Sequence, residues 1–121
     1  MSLTGLKIAV VDDEEMIRTL IGEILEEEGA SVELFEGGNS AFEYLKNNQV
    51  SWVISDINMP DGNGLELVKK IREMDRLNKP QILLLCGMAD EILSPRELGI
   101  KKIFKKPDEV EEIIDYILEN T

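Results

Sequence analysis

A small set of polar residues stands directly after short apolar runs, where the side chains could act together. The set combines carboxylates with one amine and one thiol, the residue types that bind metal ions and phosphate groups. Its members are Asp12 and Asp13 after residues 8–11, Asp56 after residues 53–54, Cys86 and Gly87 after residues 82–85, and Lys106 near the end of residues 101–107.

Three aspartates brought about 5 Å apart would repel one another by roughly 3 kcal/mol per pair at an effective dielectric constant of about 20. Such a group needs a counter-charge, or one member must keep its proton. A hard divalent cation with oxygen ligands meets that need, and a site that also keeps water ligands favours Mg²⁺. Lys106 adds a compact positive charge that could reach a phosphate oxygen. A metal, a lysine and a free carboxylate together predict phosphoryl transfer with an aspartate as nucleophile.

The elements that must position these residues alternate strand and helix five times. Alternation of this kind predicts an α/β fold, a doubly wound five-stranded parallel sheet with helices on both faces. The carboxyl ends of parallel strands share one edge of a sheet, so we expect the set to converge there. Strands are predicted at residues 6–11, 31–35, 51–56, 81–86 and 101–107, and helices at 14–28, 41–48, 65–74, 89–98 and from Asp108 to 118.

Each member of the set also has a purely structural explanation. Asp12 or Asp13 could cap the first helix, and the following acid, Glu14, suits the positive end of its dipole. Asp56 could form a turn, Lys106 could be a solvated side chain, and Cys86 could be a buried thiol. The placement of all of them at the ends of successive strands is what favours a site.

Composition limits the class of protein. The chain has 121 residues, which suits one domain with its core at 6–119 and a disordered or tag-derived start at 1–5. Thirteen basic against 25 acidic residues argue against direct nucleic-acid binding, and the absence of histidine excludes a histidine triad or a phosphohistidine from this chain. No apolar run approaches the length of a membrane span, and the single cysteine fits a cytoplasmic protein.

At these residues the sequence resembles the response-regulator receiver domain, the CheY-like family of two-component signalling. The matching motifs are VVDDE at residues 10–14, DINMP at 56–60 followed by Gly64, and KP at 106–107. The resemblance extends over residues 7 to 118, nearly the whole chain. It implies a single receiver domain with the (βα)5 topology shared by flavodoxin and CheY.

The resemblance also implies roles for individual residues. Asp56 would be the phosphoacceptor, and the cofactor would be Mg²⁺. Asp13 would bind the metal directly, Asp12 largely through water, and Asn58 through its backbone carbonyl, with Asp56 completing the site. Lys106 would pair with the acyl phosphate.

Two positions depart from the family pattern. Cys86 stands where the family usually has Thr or Ser, whose hydroxyl donates to the phosphate, and a thiol is a weaker and longer donor. With Gly87, Cys86 is nevertheless a candidate phosphate-binding residue beside Lys106. Ile103 stands where the family tends to place Tyr or Phe, with Phe104 next to it. Cys86, Ile103 and Phe104 are therefore the candidate switch residues, and we expect a blunted switch.

The implied phosphoryl donor is a phosphohistidine on a sensor histidine kinase or a histidine phosphotransfer protein, which agrees with the missing histidines. The signal would pass to a downstream protein target or output domain through the fourth helix, the last strand and the last helix. The same face is where a homodimer would form by analogy with the family. The chain would catalyse only its own phosphorylation and dephosphorylation.

Three other functions are weighed against this one. A degenerate receiver would keep the fold as a phosphorylation-independent interaction module, which Cys86 and Ile103 favour and the intact acids oppose. A magnesium-dependent phosphatase with an aspartyl nucleophile would need a second acid two residues after the first and a cap that 121 residues cannot supply. A nucleotide-binding Rossmann domain would need a glycine-rich loop after the first strand, which is missing.

Overall fold

Strands and helices alternate five times in the computed structural model, which describes residues 2–75, 79–87, 94–106 and 108–121. The order confirms the predicted α/β architecture. The elements are β1 Lys7–Val11, α1 Glu15–Glu27, β2 Ser31–Phe35, α2 Gly38–Leu45, β3 Trp52–Asp56, α3 Gly64–Glu73, β4 Gln81–Cys86, α4 Pro95–Leu98, β5 Lys102–Lys105 and α5 Glu112–Glu119.

All five strands form one parallel sheet in the order β2-β1-β3-β4-β5. The chain adds β2 on one side of β1 and then β3 on the other, so β1 and β3 flank the topological switch point of the sheet. Open α/β sheets bind ligands in the crevice at this point. In the register of these two strands Val11 pairs with Ser55. The next residues, Asp12 and Asp56, therefore lie side by side at the carboxyl edge of the sheet.

The core lies in two layers, because the central strands are apolar on both faces. The layer under α1 and α5 is built from side chains that include Ile8, Val10, Trp52, Phe104 and Ile117. The layer under α2 and α3 includes Ala9, Val11, Val53, Leu84 and Ile71. Consecutive residues of β1 thus face opposite layers, as the pleat of a strand requires.

The start of the chain differs from the expectation of disorder. Leu3 is fully buried in the α1 and α5 layer. Its backbone N–H donates to the carbonyl of Glu28 at 2.7 Å, and its own carbonyl accepts from Leu6 at 3.0 Å. These contacts fix Leu3 against the end of α1, so this residue is ordered, and the tag-derived alternative for residues 1–5 stays a prediction.

Several helix boundaries also differ, and α2 runs from Gly38 to Leu45 where residues 41–48 were predicted. The last helix begins at Glu112, because Asp108 and the residues after it form turns, so Asp108 is not its cap. Helix α4 begins at Pro95, where Ser94 caps it by accepting from the N–H of Glu97 at 3.4 Å. Proline is well suited to the first turn of a helix, so Pro95 begins α4 within the predicted helix 89–98. Residues 89–93 of the predicted helix lie outside the described residues.

Within the described ranges, no helix combines the length and the apolar character needed to cross a membrane.

Candidate functional site

The three predicted acids meet at the carboxyl edge of the sheet. Asp12 follows β1 directly and Asp56 ends the neighbouring strand β3. One carboxylate oxygen from each of Asp12, Asp13 and Asp56 lies within 4.8 Å of the other two. Asp12 is fully buried and Asp56 is 5% exposed, whereas Asp13 is open to solvent. Asp12 and Asp56 are therefore enclosed by protein, and solvent reaches the cluster from the side of Asp13.

Lys106 completes the site from the end of β5. Its ammonium Nζ donates to Asp56 Oδ2 at 3.0 Å, to Asp12 Oδ2 at 3.1 Å and to Glu14 Oε1 at 2.7 Å. The side chain of Lys106 is only 6% exposed. Its backbone N–H donates to the carbonyl of Cys86 at 2.9 Å, which fixes the end of β5 against β4. The predicted meeting of lysine and acids is confirmed.

Each buried carboxylate accepts from both the backbone and the lysine, and Asp12 Oδ1 also lies 3.4 Å from the Lys106 ammonium. Asp12 Oδ1 accepts from the N–H of Glu14 at 2.8 Å, and Asp56 Oδ1 accepts from the N–H of Ile57 at 2.8 Å. Among the described residues, every buried side-chain nitrogen and oxygen has a hydrogen-bond partner. The buried oxygens of the site are thus all hydrogen-bonded, and Lys106 is their principal counter-charge.

Burial and charge shift the ionisation of the cluster. Burial raises the pKa of Asp12, although the N–H of Glu14 and the ammonium of Lys106 oppose it. Burial also raises the pKa of Asp56, opposed by Lys106 and reinforced by the charge of Asp12. Burial alone would lower the pKa of Lys106, but hydrogen bonds to Glu14, Asp12 and Asp56 outweigh it and raise the pKa. A cation at the acids would relieve this excess of negative charge.

The donor set fits a hard divalent cation. Asp12, Asp13 and Asp56 offer three carboxylate oxygens, the ligand type that Mg²⁺ prefers, and the exposure of Asp13 leaves room for water ligands. Asn58, the fourth predicted ligand, is exposed in the loop after β3, two residues beyond Asp56. All four predicted metal ligands therefore lie at one edge of the sheet.

The loop that carries Asn58 is anchored at both of its ends. Its far end is held by α2, where the N–H of Gly38 donates to the carbonyl of Gly62 at 2.9 Å. At the start of α3, the N–H of Gly64 donates to the carbonyl of Ile57 at 2.8 Å. A Cβ at Gly64 would lie 2.2 Å from the backbone oxygen of Asp56, so only glycine permits this approach. Close packing of α3 thus sets the position of the loop.

Of the phosphate-binding and switch candidates, Cys86 and Gly87 lie at the strand end next to Lys106, whereas Phe104 lies on the opposite face of the sheet from Cys86. Cys86 is the half-buried last residue of β4, and a Cβ at Gly87 would lie 3.7 Å from the Lys106 side chain. Cys86 and Ile103 both pack against the α2 and α3 layer. Phe104 is 1% exposed in the opposite layer, so it does not meet Cys86.

Glu14 is the site residue that the sequence left without a chemical role. The sequence assigned it to the helix dipole, but its carboxylate makes the shortest side-chain contact of Lys106. The signal was present in its position directly after the aspartate pair. Its partner lies 92 residues away in sequence, so only the fold reveals the contact.

Comparison with known proteins agrees with this geometry. Residues 8–118 match the family model of the response regulator receiver domain. The chain is 30% identical over 111 residues to sporulation initiation phosphotransferase F of Bacillus subtilis, covering 92% of this chain and 90% of that protein. It is 35% identical over 106 residues to a chemotaxis protein CheY homolog of Campylobacter jejuni, covering 84% and 82% respectively.

The fold is also found among solved structures. The chemotaxis response regulator CheY4 of Vibrio cholerae superposes with a TM-score of 0.81 at 27% identity, covering 96% of this chain and 98% of that one. The chain spans about half the length of other curated relatives that it matches, among them the TorCAD operon transcriptional regulatory protein TorR of Escherichia coli and the regulatory protein VanRc of Enterococcus gallinarum.

Proposed function

Because the chain belongs to the response regulator receiver domain family, we propose that it is a phosphoacceptor receiver that takes a phosphoryl group onto Asp56. The observation that carries the proposal is the contact of the Lys106 ammonium with Asp56 Oδ2 at 3.0 Å, beside two further aspartates within 4.8 Å. The donor is a phosphohistidine on a sensor histidine kinase or a histidine phosphotransfer protein.

The transfer uses groups that are already in place. A carboxylate oxygen of Asp56 attacks the phosphorus, the phosphorus–nitrogen bond of the donor breaks, and the imidazole leaves with the electron pair. Lys106 offsets the charge of the incoming phosphoryl group. Mg²⁺, held by Asp12, Asp13, Asp56 and the backbone carbonyl of Asn58, would neutralise phosphoryl oxygens when bound.

The signal passes to a downstream protein target or output domain through the face formed by α4, β5 and α5, which also serves a homodimer. Cys86 and Gly87 contact the phosphoryl group, and Cys86 and Ile103 share one layer through which the change reaches this face. Phe104 lies in the other layer, which gives it no direct path to Cys86. The protein acts in the cytoplasm, without binding nucleic acid directly.

Exposure to a small acyl phosphate with Mg²⁺, followed by intact mass measurement, tests the proposal. We expect the wild type to gain the mass of one phosphoryl group and Asp56→Asn to gain none. A folded wild type that gains no phosphoryl group under any of these conditions would contradict it.

Cys86 supports a second candidate, a degenerate receiver that binds its partner without phosphorylation. Cys86 ends β4, and its backbone carbonyl accepts from the N–H of Lys106. A hydroxyl at this position would donate more strongly to a phosphoryl group than a thiol does. Restoring the hydroxyl with Cys86→Thr discriminates between the two. The phosphoacceptor predicts a longer phosphorylated lifetime in this variant, whereas the degenerate receiver predicts that neither protein becomes phosphorylated.

A further inference from the structure

We infer that Glu14 is a positioning residue that competes with the phosphoryl group of Asp56 for the Lys106 ammonium and thereby shortens the phosphorylated lifetime. The inference rests on the proposed phosphoacceptor function. It concerns a carboxylate that lies outside the group of aspartates suited to hold a cation.

The three N–H groups of the Lys106 ammonium match three carboxylate partners. Its contact with Glu14 is 2.7 Å, compared with 3.1 Å to Asp12 and 3.0 Å to Asp56. Phosphorylation of Asp56 changes only the contact that Asp56 makes, so the N–H groups donated to Asp12 and Glu14 stay engaged and are not offered to the phosphoryl oxygens. Asp12 is buried and backbone-bonded, so it keeps its place.

Glu14 differs from the other two carboxylate partners of Lys106 in its exposure to solvent. Its side chain is 60% exposed, while Asp12 and Asp56 are 0% and 7% exposed at the side chain. Because the Glu14 carboxylate faces solvent, packing does not fix it, and it can follow the Lys106 ammonium when the site rearranges. Glu14 thus remains a competing partner of Lys106 in the phosphorylated state.

The competition acts against the phosphoryl group in two ways. The N–H that Glu14 holds is withheld from the phosphoryl oxygens, and the carboxylate of Glu14 repels them because both charges lie beside the same Nζ. Both effects destabilise the phosphorylated form. In its hydrolysis a water oxygen attacks phosphorus, the bond from phosphorus to the Asp56 oxygen breaks, and the carboxylate and inorganic phosphate are released. Lys106 then returns to Asp56.

The test compares Glu14→Gln with Glu15→Gln, which removes the same charge from the next residue. Glu15 is exposed and has no ion pair to a described residue. Each protein is phosphorylated with acetyl phosphate and Mg²⁺, the donor is removed, and intact mass follows the decay. We expect the half-life to rise about three- to fivefold in Glu14→Gln, the range of a partly exposed ion pair, and to stay near wild type in Glu15→Gln.

The half-life of the phosphorylated wild type, measured over a series of salt concentrations, is a second test. A purely structural role of Glu14 would not make this half-life depend on salt. Screening weakens the contact of the exposed Glu14 carboxylate, so the wild-type half-life should lengthen between about 0.05 and 0.5 M salt. In Glu14→Gln the half-life should change much less. The lengthening of the half-life with salt is measured on the wild type alone, so this test can be made even if Glu14→Gln folds poorly.

The possible failures are distinguishable. Equal half-lives in the two variants, a shorter half-life in Glu14→Gln, or a wild-type half-life that is independent of salt would each overturn the inference while leaving Asp56 as the phosphoacceptor. A wild type that takes up no phosphoryl group would overturn both the inference and the proposed function.

Discussion

Lys106 is the residue on which the charge balance of the site depends. It is nearly buried, and it is the described amine in contact with the carboxylates of Asp12, Asp56 and Glu14. Buried ion pairs contribute little net stability, but removing one partner leaves uncompensated charge. The role of Lys106 is therefore to make an otherwise repulsive acid cluster compatible with the fold.

Lys106→Met should destabilise the metal-free protein by about 3 kcal/mol, because two buried carboxylates lose their shared partner. Mg²⁺ should restore part of that loss by supplying the missing positive charge. Urea unfolding with chelator and with Mg²⁺ measures both effects. Lys105→Met, the same change at an exposed neighbour, is the control. Equal stability of the two variants in chelator would contradict this role.

The raised pKa of Asp56 makes a separate prediction about pH. Because the folded state binds this proton more tightly than the unfolded state, ionised Asp56 lowers the free energy of unfolding, and the loss grows as pH rises through the raised pKa. In metal-free buffer, Asp56→Asn should therefore be more stable than the wild type at pH 7.

The advantage of Asp56→Asn should shrink as pH falls from neutral towards 3.8, the ordinary value for an aspartate. Denaturant unfolding at a series of pH values measures the difference. Asp115→Asn, an exposed change of the same charge on α5, is the control and should show no comparable trend. A difference for Asp56→Asn that is constant over this range would contradict the raised pKa.

At the scale of elements, the start of α3 sets the position of the phosphoacceptor loop. Gly64→Ala would place a Cβ 2.2 Å from the Asp56 backbone oxygen, so α3 or β3 must shift. We expect a loss of about 2 kcal/mol of stability from this strain. Thermal unfolding measures the loss, with Gly87→Ala as control, since a Cβ there meets Lys106 at 3.7 Å, an ordinary contact. Equal melting temperatures of the two variants would contradict the argument.

The elements also show how far the sequence could predict the fold. Strands β2 and β4 were predicted at their observed bounds. The signal was loose alternation of Val32 and Leu34 in β2 and a continuous apolar run in β4, each next to turn residues. Asp108 was predicted to begin α5 because aspartate is a good N-cap residue. In the structure residues 108–111 form turns, and the helix begins at Glu112. Leu3 was predicted to belong to a disordered or tag-derived start at 1–5, because a single apolar residue gives no sign that it will be buried.

The site was predictable to the extent that topology determines it. Asp12, Asp56 and Lys106 were expected to meet because the ends of parallel strands share an edge, and their contacts confirm this. The approach of Glu14 to Lys106 depends on side-chain directions across 92 residues of sequence, which no local pattern contains. The separation of Phe104 from Cys86 follows from strand pleating and was missed because adjacent residues were treated as one candidate.

At the scale of the whole molecule, the acid cluster couples cation binding to stability. A cation that binds only the folded arrangement stabilises it by mass action, by about 2.7 kcal/mol at a concentration one hundred times its dissociation constant. We expect millimolar Mg²⁺ to raise the melting temperature of the wild type by several degrees. Asp13→Asn, at the exposed member of the cluster, should lose most of this rise, and Asp115→Asn should retain it. An unchanged wild-type melting curve would contradict a metal site.

The most direct test of the central claim is to locate the phosphoryl group after reaction with acetyl phosphate and Mg²⁺. Borohydride converts an acyl phosphate of aspartate to homoserine, so peptide mass mapping identifies the modified position. We predict homoserine at position 56 alone, because Asp56 contacts Lys106 and keeps some exposure, whereas Asp12 also contacts Lys106 but is fully buried. Homoserine at position 12 or 13, or at no position in a folded protein, would contradict the assignment of Asp56 as phosphoacceptor.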